Sequence, residues 1–352
     1  MKEATVKKSK GLSGEITVPG DKSISHRAVL MGSIAEGTSE VRGFLRGEDT
    51  LNTLKACRRM GVAVEERGDD LTIHGAGLHG LQEPEDVLDL GNSGTGMRLL
   101  AGLLAGQKFF SVMTGDSYLR QRPMARITRP LREMGATILG REDARLAPLA
   151  IQGGRLSPMV YHSPVSSAQV KSALLLAGLY AQGTTTIIEP YPSRDHTEKM
   201  FRQFGCTVAQ EGTTVSIVGG ERLSAREIQV PGDFSSAGFF IVAALCVPGS
   251  EIVLRNVGIN PTRTGLLKIL KRMGADMEVS VKDDGDEPLA DLQVAASRLR
   301  GTVVTGEEVP AAIDEFPVLC VAAALAEGES RITGAEELRV KETDRIRAMT
   351  VN

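Results

Sequence analysis

Two kinds of helix alternate along the chain, distinguished by where their apolar positions fall. One kind is almost wholly apolar and rich in small residues: Ser25 to Ala35, Thr95 to Ala105, Ala168 to Ala181, Ser235 to Val247 and Asp314 to Ala326. Helices without a polar stripe belong inside a core. The other kind carries apolar residues three and four apart, as in "RGEDTLNTLKACRRMGVAV", "RPMARITRPLREMGATI", "SRDHTEKMFRQFGCTVAQ" and "TRTGLLKILKRMGADMEV". That spacing predicts amphipathic helices, and the alternating stretches after them predict strands.

Each amphipathic helix closes on Met-Gly or Phe-Gly, at Gly61, Gly135, Gly205 and Gly274. The recurrence, at a period of roughly 70 residues, is longer than most solenoid repeats. A glycine there predicts a helix C-cap that turns the chain into a hairpin. Most of the apolar helices end in Gly-Thr or Gly-Ser before a strand, as in "EGTSEVRGF" and "QGTTTIIEP". The unit is therefore βαβαββ, an α/β design of parallel strands joined through helices with a closing hairpin. It is written about five times. After "VKETDRIRAMTVN" the pattern calls for more helix, the recurring glycine and a hairpin, so the last unit is expected to be incomplete and the chain to be cut inside a helix.

Length changes this picture only by predicting roughly two domains, with the repeats placing a break near Arg226. Charge excludes more. The balance of 41 basic against 44 acidic residues provides no global field for nucleic acid or an anionic membrane, so any anion site has to be local. Cys57, Cys206, Cys246 and Cys320 are far apart and lack zinc-ligand spacing, which argues against a zinc site and a disulfide framework and points to reduced thiols in a cytoplasmic protein. "FFIVAALCV", Phe239 to Val247, is too short for a membrane span and predicts a buried helix. We expect a monomer.

Candidate chemistry gathers at the starts of the apolar helices. "VPGDKSISHRAV" puts Lys22 and Arg27 near a helix N-terminus, where the macrodipole disfavours cations unless an anion is bound. Ser23 as an N-cap, with both cations in water, is the alternative. "DLGNSGTGMRLL" offers close backbone approach around Asn92, Ser93, Gly94 and Thr95, followed by Arg98. "GDSYLRQRPM" places Arg120 and Arg122 in a loop before a helix. In "PVSSAQVKSALLLAGL" the hydroxyl and amide groups of Ser166, Ser167 and Gln169, with Lys171, suit a polyol ring. "PSRDHTEKM" carries Arg194, "AAIDEFPVL" sets Asp314 and Glu315 before an apolar run, and "RVKETDRIRAM" supplies Lys341, Glu342, Asp344 and Arg345.

"PGDKSISHRA", "GNSGTGMR", "RQRP", "SSAQVKSALLLAGL", "RDHTEKM", "DEFPVL" and "RVKETDR" occur in an order that resembles the 5-enolpyruvylshikimate-3-phosphate synthase family over nearly the whole chain. The resemblance implies an enolpyruvyl transferase fold, an inside-out α/β barrel of two domains. These would be residues 19–226, and residues 1–18 with 227–352, with the active site in the cleft. It implies transfer of the enolpyruvyl group of phosphoenolpyruvate to the 5-hydroxyl of shikimate 3-phosphate, without metal or cofactor, with these small molecules as the only partners. By motif position, Lys22 would contact phosphoenolpyruvate and assist proton transfer. Ser23 and Arg27 would hold the shikimate carboxylate, and Arg122 would grip phosphoenolpyruvate. Asn92, Gly94 and Thr95 would line that pocket. Ser166, Ser167, Gln169 and Arg194 would bind the phosphate and ring of shikimate 3-phosphate. Asp314 would be the base toward the 5-hydroxyl, Glu342 with Lys22 the proton carriers, and Lys341 and Arg345 further substrate contacts.

Departures from the family pattern are Glu337 where relatives carry Asn, Leu99 where many carry Pro, and the lack of an "HRIAM"-like segment and a late lysine. A fragment that binds shikimate 3-phosphate without turnover is therefore one alternative. UDP-N-acetylglucosamine enolpyruvyl transferase is another, disfavoured because its loop cysteine has no counterpart in "SVMTGDSYLRQRPM".

Overall fold

The structure, a computed structural model, describes residues 5, 7–8, 10–341 and 343–351. The chain divides into two compact units, one of residues 20–230 and one of residues 1–19 with 231–352. Each has its own apolar core.

The residue 20–230 unit holds three four-stranded sheets of one design. In each, an edge strand runs parallel to its neighbour, and a hairpin adds two antiparallel strands. Leu88–Asp89, Phe110–Thr114, Leu146–Gln152 and Thr137–Gly140 form one in that spatial order. Val160–His162, Thr184–Ile188, Thr214–Val218 and Val208–Glu211 form the second. The third is Glu227–Gln229, Glu36–Arg42, Asp70–Ala76 and Ala63–Arg67. Its edge strand comes from the far end of the unit, so residues 227–230, expected in the second domain, belong here.

Three apolar helices, Lys22–Ile34, Gly94–Ala105 and Ala168–Gly178, are buried along almost their whole length. They pack closely because small residues face each other: a Cβ on Gly102 would lie 2.1 Å from the backbone oxygen of Ala173. The amphipathic helices Glu48–Arg59, Ala125–Glu133 and His196–Gln203 bury one face and end as their sequences predict. Gly61, Gly135 and Gly205 have φ of +88°, +107° and +92°, a region that penalises any Cβ. The residue after each donates its N–H back to the helix, Val62 to Cys57, Ala136 to Leu131 and Cys206 to Phe201, while the glycine N–H reaches Arg58, Arg132 or Arg202. This pair of bonds satisfies carbonyls the helix end would orphan.

In the other unit Ser13–Thr17 runs parallel to Glu251–Gly258, and Leu289–Ala295 and Asp276–Asp283 complete a fourth sheet of the same order. Gly274, at φ +94°, caps Gly265–Arg272 in the same way. Val303–Val304 and Arg331–Ile332 begin a fifth sheet as a parallel pair. Its apolar helices are Phe234–Cys246 and Phe316–Leu325. The expected burial of "FFIVAALCV" holds for Ile241 and Val242 but not for Phe239, which is 61% exposed, or for the half-exposed Phe240. Where the first unit packs three apolar helices together, this one has two among its described residues, and Phe239, Val321 and Leu325 lie on faces that no third helix covers.

No helix among the described residues is long and apolar enough to cross a membrane.

Candidate active site

In the residue 20–230 unit the expected site residues lie at or near the starts of the three apolar helices. The Lys22–Ile34 helix is capped not by Ser23 but by Asp21, whose carboxylate accepts the N–H of Ile24 at 2.9 Å. Asp21 has the extended backbone an N-cap needs, and its negative charge matches the helix dipole. Lys22, on the first turn, pairs with Asp49 and stays half-exposed. Lys22 at this helix start is thus balanced locally by the Asp49 carboxylate.

Arg27 is buried. Its guanidinium donates to Thr197 Oγ1 at 2.7 Å, Ser172 Oγ at 2.7 Å and the carbonyl of Ser23 at 2.8 Å, tying three helices together. His26 beside it is fully buried, and burial, with Lys22 and Arg27 adding to it, pushes its pKa down to about 3. Its Nδ1 lies 2.8 Å from Thr53 Oγ1, which also contacts the Asp49 carbonyl at 3.4 Å.

The Gly94–Ala105 helix starts at an N-cap, Ser93, that accepts the N–H of Gly96 at 3.0 Å. Arg122 lies directly over Gly94: a Cβ there would meet Nη1 at 2.5 Å and Cζ at 2.7 Å. Asn92 donates to Asp116 at 2.9 Å, and Asp116 also accepts the N–H of Leu119, which shapes the loop carrying Arg122. Thr95 accepts the amide of Gln169 at 2.8 Å, and the carbonyl oxygen of that amide accepts Arg98 Nη1 at 2.6 Å. Arg98 also donates to the Pro123 carbonyl at 3.0 Å. Arg98 therefore orients Gln169 and the backbone beside Arg122, a role its place in an apolar helix announces only as a charge needing partners.

Ser166 and Ser167 lie in the loop before the Ala168–Gly178 helix. Ser166 Oγ donates to the Tyr191 carbonyl at 2.8 Å and accepts the Tyr191 N–H at 2.9 Å. Arg194 is half-buried in the same neighbouring loop. Lys171 does not face this polar group. Its ammonium is buried between Glu189, at 2.9 Å, and Glu198, at 2.7 Å.

In the other unit Asp314 sits in the turn before Phe316–Leu325, and the helix begins two residues later than its sequence pattern predicts. Arg345 donates to Asp314 at 3.0 Å and to the Ile313 carbonyl at 3.1 Å. Lys341 lies 3.8 Å from Glu337. Behind Asp314, buried Arg263 donates to Asp233 at 2.7 Å and to Ser235 at 2.8 Å, and Ser235 donates to buried Glu315. Glu342 lies outside the described residues.

The sequence model of the family described as EPSP synthase (3-phosphoshikimate 1-carboxyvinyltransferase) matches residues 6–352. The chain belongs to the EPSP synthase family. Relatives named 3-phosphoshikimate 1-carboxyvinyltransferase from Pelobacter propionicus and Geobacter metallireducens are 58% and 59% identical to it over all of this chain and 82% of their own length. A solved EPSP synthase from Acinetobacter baumannii superposes with a TM-score of 0.88 at 53% identity, covering 98% of this chain and 78% of that one. The repeated sheets are thus those of the EPSP synthase fold. The family match decides for EPSP synthase over UDP-N-acetylglucosamine enolpyruvyl transferase.

Proposed function

We propose that this chain transfers the enolpyruvyl group of phosphoenolpyruvate to the 5-hydroxyl of shikimate 3-phosphate and releases phosphate. The observation that carries this reading is the cradle at the start of the Gly94–Ala105 helix. There the Arg122 guanidinium lies against Gly94, and Arg98 aligns the Gln169 amide beside Thr95. A guanidinium at a helix N-terminus suits a phosphate or carboxylate, and the amide and hydroxyl suit the neutral atoms between them. Ser166, Ser167 and Arg194 offer the same combination for the phosphate and ring of shikimate 3-phosphate, with Ser23 and Arg27 toward its carboxylate.

The reaction is an addition followed by an elimination. The 5-oxygen bonds to C2 of phosphoenolpyruvate as Asp314 accepts the hydroxyl proton, and C3 gains a proton to become a methyl group. C3 then returns a proton and the C2–O bond to phosphate breaks, restoring the double bond. Lys22 and Glu342 carry the C3 proton, and Lys341 and Arg345 contact substrate. Arg345 pairs with Asp314 at 3.0 Å and holds that carboxylate in place at the start of the Phe316–Leu325 helix. The same reading makes the protein a monomer of the cytoplasm, the compartment in keeping with four free cysteines, two of them buried.

Calorimetry with shikimate 3-phosphate, then phosphate release on adding phosphoenolpyruvate, tests the assignment. Binding with turnover is expected. A positioned acid or base contributes about 10²–10⁴ in rate, so Asp314→Ala loses turnover by that factor and keeps shikimate 3-phosphate binding. Wild-type turnover in that variant overturns the role of Asp314, and absence of binding by the unsubstituted chain overturns the function.

A further inference from the structure

We propose that Glu189, anchored by Lys171, is a positioning residue that sets the shikimate 3-phosphate cradle; this rests on the function proposed above. Two loops meet at this side chain. Glu189 follows the strand Thr184–Ile188, and its side chain is 2% exposed. One carboxylate oxygen accepts the backbone N–H of Ser167 at 2.8 Å, and the other accepts the hydroxyl of Ser193 at 2.7 Å. Those bonds fix the loop of Ser166 and Ser167 and the loop of Arg194 to one rigid group. Lys171 holds that group from behind, 2.9 Å from the same oxygen that takes Ser193, and approaches the Ser193 carbonyl at 3.4 Å.

The ammonium is itself held from its other side by Glu198, whose side chain is fully buried. Glu198 serves as the counter-charge of Lys171 and bonds to neither loop. Three buried charges in one place are expensive, and an apolar trio of the same volume packs at least as well. An apolar trio, however, leaves the Ser167 N–H and the Ser193 hydroxyl without an acceptor. Holding those two donors in register is what the charges add. A misplacement of about 1 Å in a binding group is enough to cost about a hundredfold in rate.

Glu189→Gln separates positioning from general stability. Its side-chain amide has one acceptor oxygen, so it can serve Ser167 or take the side facing Ser193 and Lys171, but not both. Glu198→Gln removes the same charge from Lys171 without touching either loop. We expect Glu189→Gln to weaken shikimate 3-phosphate binding and raise its KM about tenfold or more, with the KM for phosphoenolpyruvate within about twofold. Glu198→Gln lowers the melting temperature and leaves the shikimate 3-phosphate KM within about twofold. Ser193→Ala, which leaves all three charges in place, weakens the same substrate about threefold or more and decides the matter if Glu189→Gln does not fold.

Wild-type affinity in the folded Glu189 variant overturns the proposal, as does equal weakening by the Glu189 and Glu198 variants. If Glu189→Gln does not fold, wild-type affinity in Ser193→Ala overturns it. No binding of shikimate 3-phosphate by the unsubstituted chain overturns the functional reading instead, and the proposal falls with it.

Discussion

Gly94→Ala isolates the contact between the helix start and Arg122. The new methyl would stand 2.5 Å from Nη1, 2.7 Å from Cζ and 3.0 Å from Nη2 of Arg122. Non-bonded carbon contacts settle near 3.5–4.0 Å, so the guanidinium has to retreat by about 1 Å. It can do so, being the far end of a flexible side chain, and the backbone is not strained: Gly94 opens the helix without a positive φ, a conformation that alanine also adopts. The damage therefore falls on the ligand. A hydrogen bond to a charged group contributes about 1.5–3 kcal/mol, and its loss corresponds to about ten- to a hundredfold in affinity. Steady-state kinetics should show the KM for phosphoenolpyruvate rising by that factor, the KM for shikimate 3-phosphate staying within about twofold, and the melting temperature holding or rising. A wild-type KM for phosphoenolpyruvate would refute the placement of Arg122 over that substrate.

Gly102→Ala is expected to do the reverse. Its methyl would meet the Ala173 backbone oxygen at 2.1 Å, which cannot rotate away, so stability falls by about 1–3 kcal/mol or more in urea titrations, although the helix gains propensity. His26 makes stability pH-dependent. Its folded pKa, about 3, is below its unfolded value, so its contribution is complete above about pH 6.5 and is lost as pH falls toward 3. Between pH 7 and pH 5 that loss is about 2 kcal/mol. His26→Gln should show a correspondingly smaller drop in urea midpoint over that interval, and an equal drop in both proteins would exclude His26 as the source.

What can be read from sequence is local. Period-2 and period-3.6 patterns, and a glycine where the chain must turn left-handed, depend on neighbours within a few residues. That is why Gly61, Gly135, Gly205 and Gly274 announce four helix ends and four hairpins. The ordered polar motifs are legible for the same reason, as short strings at helix starts. The family resemblance groups residues 1–18 with the later domain, but the residue patterns do not, and which strand pairs with which was decided by tertiary structure. The exchange that places Ser13–Thr17 beside Glu251–Gly258 and Glu227–Gln229 beside Glu36–Arg42 leaves no mark in the alternation of either strand, since a parallel partner can come from anywhere in the chain. Arg98 and Gln169 are 71 residues apart, and nothing near either predicts their bond. In the sequence Lys171 is one more polar residue beside Ser167 and Gln169. Only the convergence of Glu189 and Glu198 from two other elements makes it a buried anchor, because the energy of a charge is set by the groups that surround it in space.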